Sequence, residues 1–196
     1  NRDGIMNHTG FERASTRLNS EFKVGEKLKI GEHLNISYSN TKNGPGEAIE
    51  NAYRMTPLLP VRDNDGNFAG VAAPDLSNTR NPAAMLDRSK DDYNKRYAVF
   101  GDIYLSYDIL DELTFKTTLA GGFSTFDGRY FTHLDPEHGE PISTNTLAEQ
   151  DQTDWNWSWT NTVNYTNSWG DHSVNALVGI EALRNESKGK RISRTG

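Results

Sequence analysis

The sequence predicts an all-β fold, an antiparallel meander of about six long strands belonging to a sheet larger than this chain. Three observations predict it. Apolar and polar residues alternate over six segments, the period of a strand whose two faces meet different surroundings. The alternating cores run roughly 9–13 residues, where a tilted membrane-spanning strand needs about 9–11 and a globular strand has a mode of about 5–6. Short turns alternate with long polar connections, which places the two kinds of connection at opposite ends of a meander.

In the first segment Ala14, Thr16, Leu18, Ser20, Phe22 and Val24 share one face, and Arg13, Ser15, Arg17, Asn19, Glu21 and Lys23 the other. The turn Gly25-Glu26-Lys27 leads to the second, where Leu28, Ile30, Leu34, Ile36 and Tyr38 oppose Lys29, Gly31, His33, Asn35, Ser37 and Ser39. Residues 39–96 form a long connection, with a short helix expected in "NPAAMLDRSKDD" (81–92). Tyr97, Val99, Ile103, Leu105, Tyr107 and Ile109 mark the third segment, and Leu113, Phe115, Leu119 and Phe123 the fourth, across the turn Leu110-Asp111-Glu112. After a second long connection, 124–154, Trp155, Trp157, Trp159, Val163 and Tyr165 alternate with Asn156, Ser158, Thr160, Thr162 and Asn164. The sixth segment, past a turn around Asn167–Asp171, uses Val174, Ala176, Val178, Ile180 and Ala182.

Composition narrows the function classes. Of 196 residues 34% are hydrophobic, below the ~45–50% of globular domains, yet 10% are aromatic, which a disordered chain would lack. Cysteine is absent, so disulfides and thiolate chemistry are excluded. A net charge of −6 argues against nucleic acid as a partner. The first residues, "NRDGIMNHTG", carry no secretory signal and do not begin with Met, and read as a chain cut from something longer.

Two architectures suit such strands, a soluble β-sandwich and a membrane barrel with its apolar face in lipid. Strand length and loop asymmetry favour the barrel. So do the aromatics: Trp155, Trp157 and Trp159 open the fifth strand at the long-loop end, while Tyr107 and Trp169 lie by the short turns, as interfacial girdles do. In hydrocarbon an unpaired backbone group costs several kcal/mol, so a spanning sheet must close. Six strands fall short of the eight of the smallest single-chain barrels. Either the chain is a segment of a larger barrel, or the membrane reading is wrong. The polar face of such a segment would turn Arg13, Arg17, Lys29, His33, Arg96, Asp102, Tyr104 and Lys116 into the lumen.

Three blocks carry a family resemblance: "DGIMNHTGFERASTRLNSEFKVGEKLKIGEHLNISYS" (3–39), with its Gly-Phe-x-Arg entry and Arg-Leu-Asn strand, "NPAAMLDRSKDDYNKRYAVFGDIYLSYDILDELTFKTTLAGG" (81–122) and "HSVNALVGIEAL" (172–183). In this order they resemble SusC/RagA-type TonB-linked (TonB-dependent) outer-membrane transporters of Bacteroidota. The resemblance implies that residues 1–196 are part of a barrel domain of about 22 strands, with the plug domain and TonB box absent from this stretch. It implies a multi-pass barrel in the Gram-negative outer membrane, importing oligosaccharides or peptides beneath a SusD-like surface lipoprotein. TonB-ExbB-ExbD would act through the missing plug, and the segment alone is expected to be inactive. The rival reading is a soluble β-sandwich module that binds glycans with its Trp and Tyr rings.

Motifs for chemistry are few. "HLDPEH" (133–138) gathers His133, Asp135, Glu137 and His138, but lacks the one-face helical spacing of a zinc site and reads as a solvated acidic loop. "DNDGN" (63–67) starts like a calcium loop, yet the bidentate Glu expected at its twelfth position is Pro74. A polar turn is favoured there, with calcium in an extracellular loop as the weak alternative. No Ser/His/Asp pattern, G-x-S-x-G or phosphate-binding glycine loop occurs, so no catalytic residue, resident metal or cofactor is expected, and no enzyme.

Overall fold

A computed structural model describes residues 1–70 and 78–196. Among them the strands form one antiparallel sheet in chain order: β1 (Arg2–Asp3), β2 (Gly10–Val24), β3 (Leu28–Lys42), β4 (Tyr93–Leu110), β5 (Leu113–Thr132), β6 (Thr146–Trp169) and β7 (His172–Thr195). Two helices, α1 (Ala48–Arg54) and α2 (Pro82–Arg88), lie in the connection between β3 and β4. The short β2–β3 turn places Gly25 at φ 66°, the left-handed conformation that a three-residue hairpin loop asks of one residue.

The strands outrun the alternation. β5 continues to Thr132 and β6 begins at Thr146, so the connection expected at 124–154 shrinks to 133–145. The one expected at 39–96 becomes 43–92, because β3 reaches Lys42 and β4 starts at Tyr93. The physical reason is that alternation records what each face touches. Where a strand leaves an apolar medium both faces meet water and the pattern stops, while backbone pairing continues. β1, only two polar residues against Gly10 and Phe11, gives no such signal at all.

Among the described residues no second layer covers the sheet. The buried apolar side chains among the described residues are Ala48 and Ala84, both on helices. Phe22, Val178 and Ile180 are 66%, 74% and 72% exposed. A β-sandwich needs a facing sheet about 10 Å away to make its core, and the described residues supply none.

Register puts all six expected apolar faces on one side. Tyr38 pairs with Tyr97, Tyr97 with Thr125, Thr125 with Thr153 and Thr153 with Lys188, forming one row across the sheet. The apolar band does not follow such rows. On β3 its upper edge is Tyr38; on β7 it is Ala182, in the row of Trp159, Leu119, Ile103 and Glu32. That row lies six residues below Tyr38 on β3. The short turns step the same way, closing on Val24/Leu28, Leu110/Leu113 and Trp169/His172. Six residues are about 20 Å along a strand, and four strand spacings about 19 Å, so a level band requires a tilt near 45°.

Candidate functional site

On the polar face the central side chains of β2–β5 touch one another. His33 Nδ1 lies 3.0 and 3.2 Å from the two carboxylate oxygens of Asp102, its direct cross-strand partner. The Tyr104 ring stacks on His33 at 5.7 Å, and its hydroxyl donates to Glu21 Oε2 at 2.6 Å. Lys116 Nζ sits 4.3 Å from the centre of the same ring. This reach from β4 over β3 to β2 depends on Gly31, which is buried beneath Tyr104; a Cβ there would collide with the ring.

His33, Asp102, Tyr104 and Lys116 are thus brought together, with Glu21 as a fifth member that sequence reasoning did not single out. The strand parity of Glu21 and its register opposite Gly31 are the signals that find it. Arg13 and Arg96 instead flank Ser39 in one row toward the long connections. Arg17 stands opposite Asn35, and Lys29 lies between Lys23 and Ser106 near the turns. The arrangement offers charges and hydrogen-bonding groups to whatever occupies the space before this face.

The apolar face carries the aromatics. Tyr38 and Tyr97 meet at 4.7 Å. Trp155 Nε1 donates to Glu186 at 3.1 Å, and Trp159 Nε1 to Thr117 Oγ1 at 2.9 Å. Allowing for the tilt, Trp157 is level with Tyr38 and Ala182, Trp155 stands above that edge and Trp159 inside it, while Tyr107 and Trp169 mark the turn end. Glu32 breaks the pattern as an exposed carboxylate between Ile30 and Leu34, facing Ser20 and Ile103. The gap it leaves in the apolar series of β3 is the signal that marks it.

The connections pack on each other beyond the sheet. Asn81 caps α2 by accepting from Ala83 and Ala84 N–H groups, and its amide donates to Val61 O and Ala69 O at 2.9 and 2.7 Å. Arg88 makes a bidentate pair with Glu137, at 2.7 and 2.8 Å, and Arg80 Nε lies 3.3 Å from Asp135 Oδ2. The acidic loop at 133–138 is therefore only partly solvated, against expectation: Asp135 is 4% exposed and His138 8%, while His133 and Pro136 remain exposed. The arginines that bury it come from the other connection, beyond the reach of a local motif.

Burial and the Glu137 charge hold the Asp135 carboxyl above its ordinary range. For Glu137 burial again acts upward, but the bonds and charge of Arg88 outweigh it and the group lies low. In "DNDGN" the Asp63 carboxylate accepts from the Asp65 and Asn67 backbone N–H groups at 3.0 and 2.8 Å, the geometry of a side-chain-closed turn. Pro74 lies outside the described residues. Among those residues no group of three or more His, Cys, Asp and Glu side chains is arranged to hold a metal ion.

No family model matches the chain. Two curated relatives from Formosa agariphila do. TonB-dependent receptor P26 is 25% identical over 210 residues, covering 100% of this chain and 20% of the receptor. TonB-dependent receptor P3 is 26% identical over 222 residues, covering 96% and 19%. The chain thus spans about a fifth of their length. Among solved structures, the RagAB peptide transporter superposes with a TM-score of 0.74 at 20% identity, over 96% of this chain and 22% of that one. The RagAB peptide importer in its closed-closed state gives 0.69 at 21%. Alignment of 96–100% of this chain with two TonB-dependent receptors and the fold shared with RagAB agree with the one-layer sheet. The chain is thus similar to TonB-dependent receptors over about a fifth of their length and has the fold of a stretch of the RagAB barrel, a likeness of the SusC/RagA type.

Proposed function

We propose that this chain forms part of the conduit of a TonB-dependent importer in the outer membrane, carrying a bulky hydrophilic nutrient, an oligosaccharide or a peptide. The observation that carries the reading is the displaced band: apolar residues stay level only if the strands cross their medium at the tilt of a barrel. The apolar face then meets lipid, the polar face lines the lumen, and β7 pairs with a further strand, since an open edge is not tolerated in hydrocarbon. The packed connections 43–92 and 133–145 form outer surface on which a SusD-like lipoprotein rests, and energy arrives from TonB-ExbB-ExbD through a plug. The fold likeness to RagAB, a peptide importer, supports a two-component arrangement of this kind.

Fractionation of native cells, with antibody against 133–145 and samples run with and without boiling, tests this reading. The expected product is a heat-modifiable outer-membrane band several-fold larger than 22.0 kDa. A soluble 22.0 kDa product would contradict it.

A further inference from the structure

Six cations share the polar face of β2–β5: Arg13, Arg17, Lys23, Lys29, Arg96 and Lys116. None of them enters an ion pair among the described residues. Of the acids on this face, Glu21, Asp102 and Asp108 already hold Tyr104, His33 and Thr114, and Asp154 of β6 lies within electrostatic reach of Arg96. The cations also stand in rows. Lys23 faces Lys29 directly, Lys29 faces Ser106 and Ser106 faces Lys116. At the other end Arg13 and Arg96 flank Ser39. The two rows are about 33 Å apart along β2, with Arg17 between them.

Like charges set opposite each other on one sheet face are destabilising. Here one such pair, Lys23 and Lys29, persists in a chain whose net charge is −6, so the basic face is a local concentration against the overall balance. Rows of Arg and Lys are what anion-selecting pores present to their solute. The surface between and beside them is Asn, Ser and Thr: Asn19, Asn35, Ser37, Ser158, Thr160 and Thr162, amides and hydroxyls suited to a ligand dense in hydroxyl groups.

Resting on the barrel reading, we infer that this wall selects an anionic cargo, an oligosaccharide bearing carboxylate or sulfate groups. The Arg13–Arg96 row receives it at the outer mouth, and the Lys23–Lys29–Lys116 row draws it toward the turn end. Each step exchanges one set of cations for the next, so no single site holds the chain too tightly to leave.

The test uses the full-length receptor purified from outer membranes, with fluorescent dextran sulfate, neutral dextran and polyglutamate as probes. Dextran sulfate is expected to bind, weakening steeply with added salt, and neutral dextran to bind much more weakly. Arg13→Gln/Arg96→Gln and Lys23→Gln/Lys29→Gln are each expected to weaken binding by about tenfold or more. Heat-modifiability of each variant is measured first, as proof of a folded barrel. Equal binding of neutral and sulfated dextran, or unchanged binding in folded variants, would overturn the inference. Binding of polyglutamate but not of dextran sulfate would overturn the assignment to glycans. Absence of a heat-modifiable band from the unaltered receptor would instead sink the barrel reading beneath it.

Discussion

At the scale of single residues, depth and parity decide what a substitution costs. The band on β6 runs from Trp157 to Trp169, which sets Val163 near its middle on the apolar face. Val163→Arg should therefore cost about 2–4 kcal/mol of barrel stability, Trp157→Arg at the edge about 0–1, and Ser158→Arg, one residue along on the polar face, little. Thermal melting of the heat-modifiable form ranks the three; equal costs for Val163 and Ser158 would refute the facing. Glu32 predicts the opposite sign. A carboxylate at mid-band opposite Ser20 and Ile103 is a cost the fold carries, so Glu32→Leu should raise the melting midpoint, by about 1–2 kcal/mol in stability. A lowered midpoint would mean that Glu32 has a partner on that face.

At the scale of elements, the six strands were legible because each meets two media, and Leu28–Tyr38 or Trp155–Tyr165 write that difference into alternate positions. Helix α2 was legible from Asn81-Pro82, a cap followed by a residue preset for the first turn. Helix α1 and the strand extensions were not, since polar residues on both faces erase the period. Nor was the tie between the two connections, which joins Arg88 to Glu137 across 49 positions. That tie has a pH dependence of definite sign. Glu137 is lowered in the fold, so its contribution is complete above its ordinary range and is lost as pH falls through the lowered value. Asp135 is raised, so it disfavours the fold once ionised and gives that back on protonation. Mild acidification should leave the tie intact, with opening only below the ordinary carboxylate range. Glu137→Gln should remove that acid limb and weaken the tie by about 1.5–3 kcal/mol, read by hydrogen exchange of residues 135–138 in the full-length receptor.

At the scale of the whole molecule, one sheet exposes apolar side chains on one face and charges on the other, with almost no core of its own. On the proposed reading its stability comes from what surrounds it: lipid, the strands that close the barrel, and the contents of the lumen. The sequence pattern shows that the two faces differ; only register shows that the band climbs across strands. Spin labels on the full-length receptor in bilayers, with collision rates to oxygen and to a water-soluble nickel chelate reporting depth, test this most directly. Labels at Tyr38 and Ala182, six rows apart in the sheet, should report the same depth near the outer interface. Labels at Tyr38 and Lys188, members of one row, should differ by about 14 Å. Equal depth for Tyr38 and Lys188, with Ala182 different, would mean that the strands do not tilt across a membrane and that the sheet is not a barrel wall.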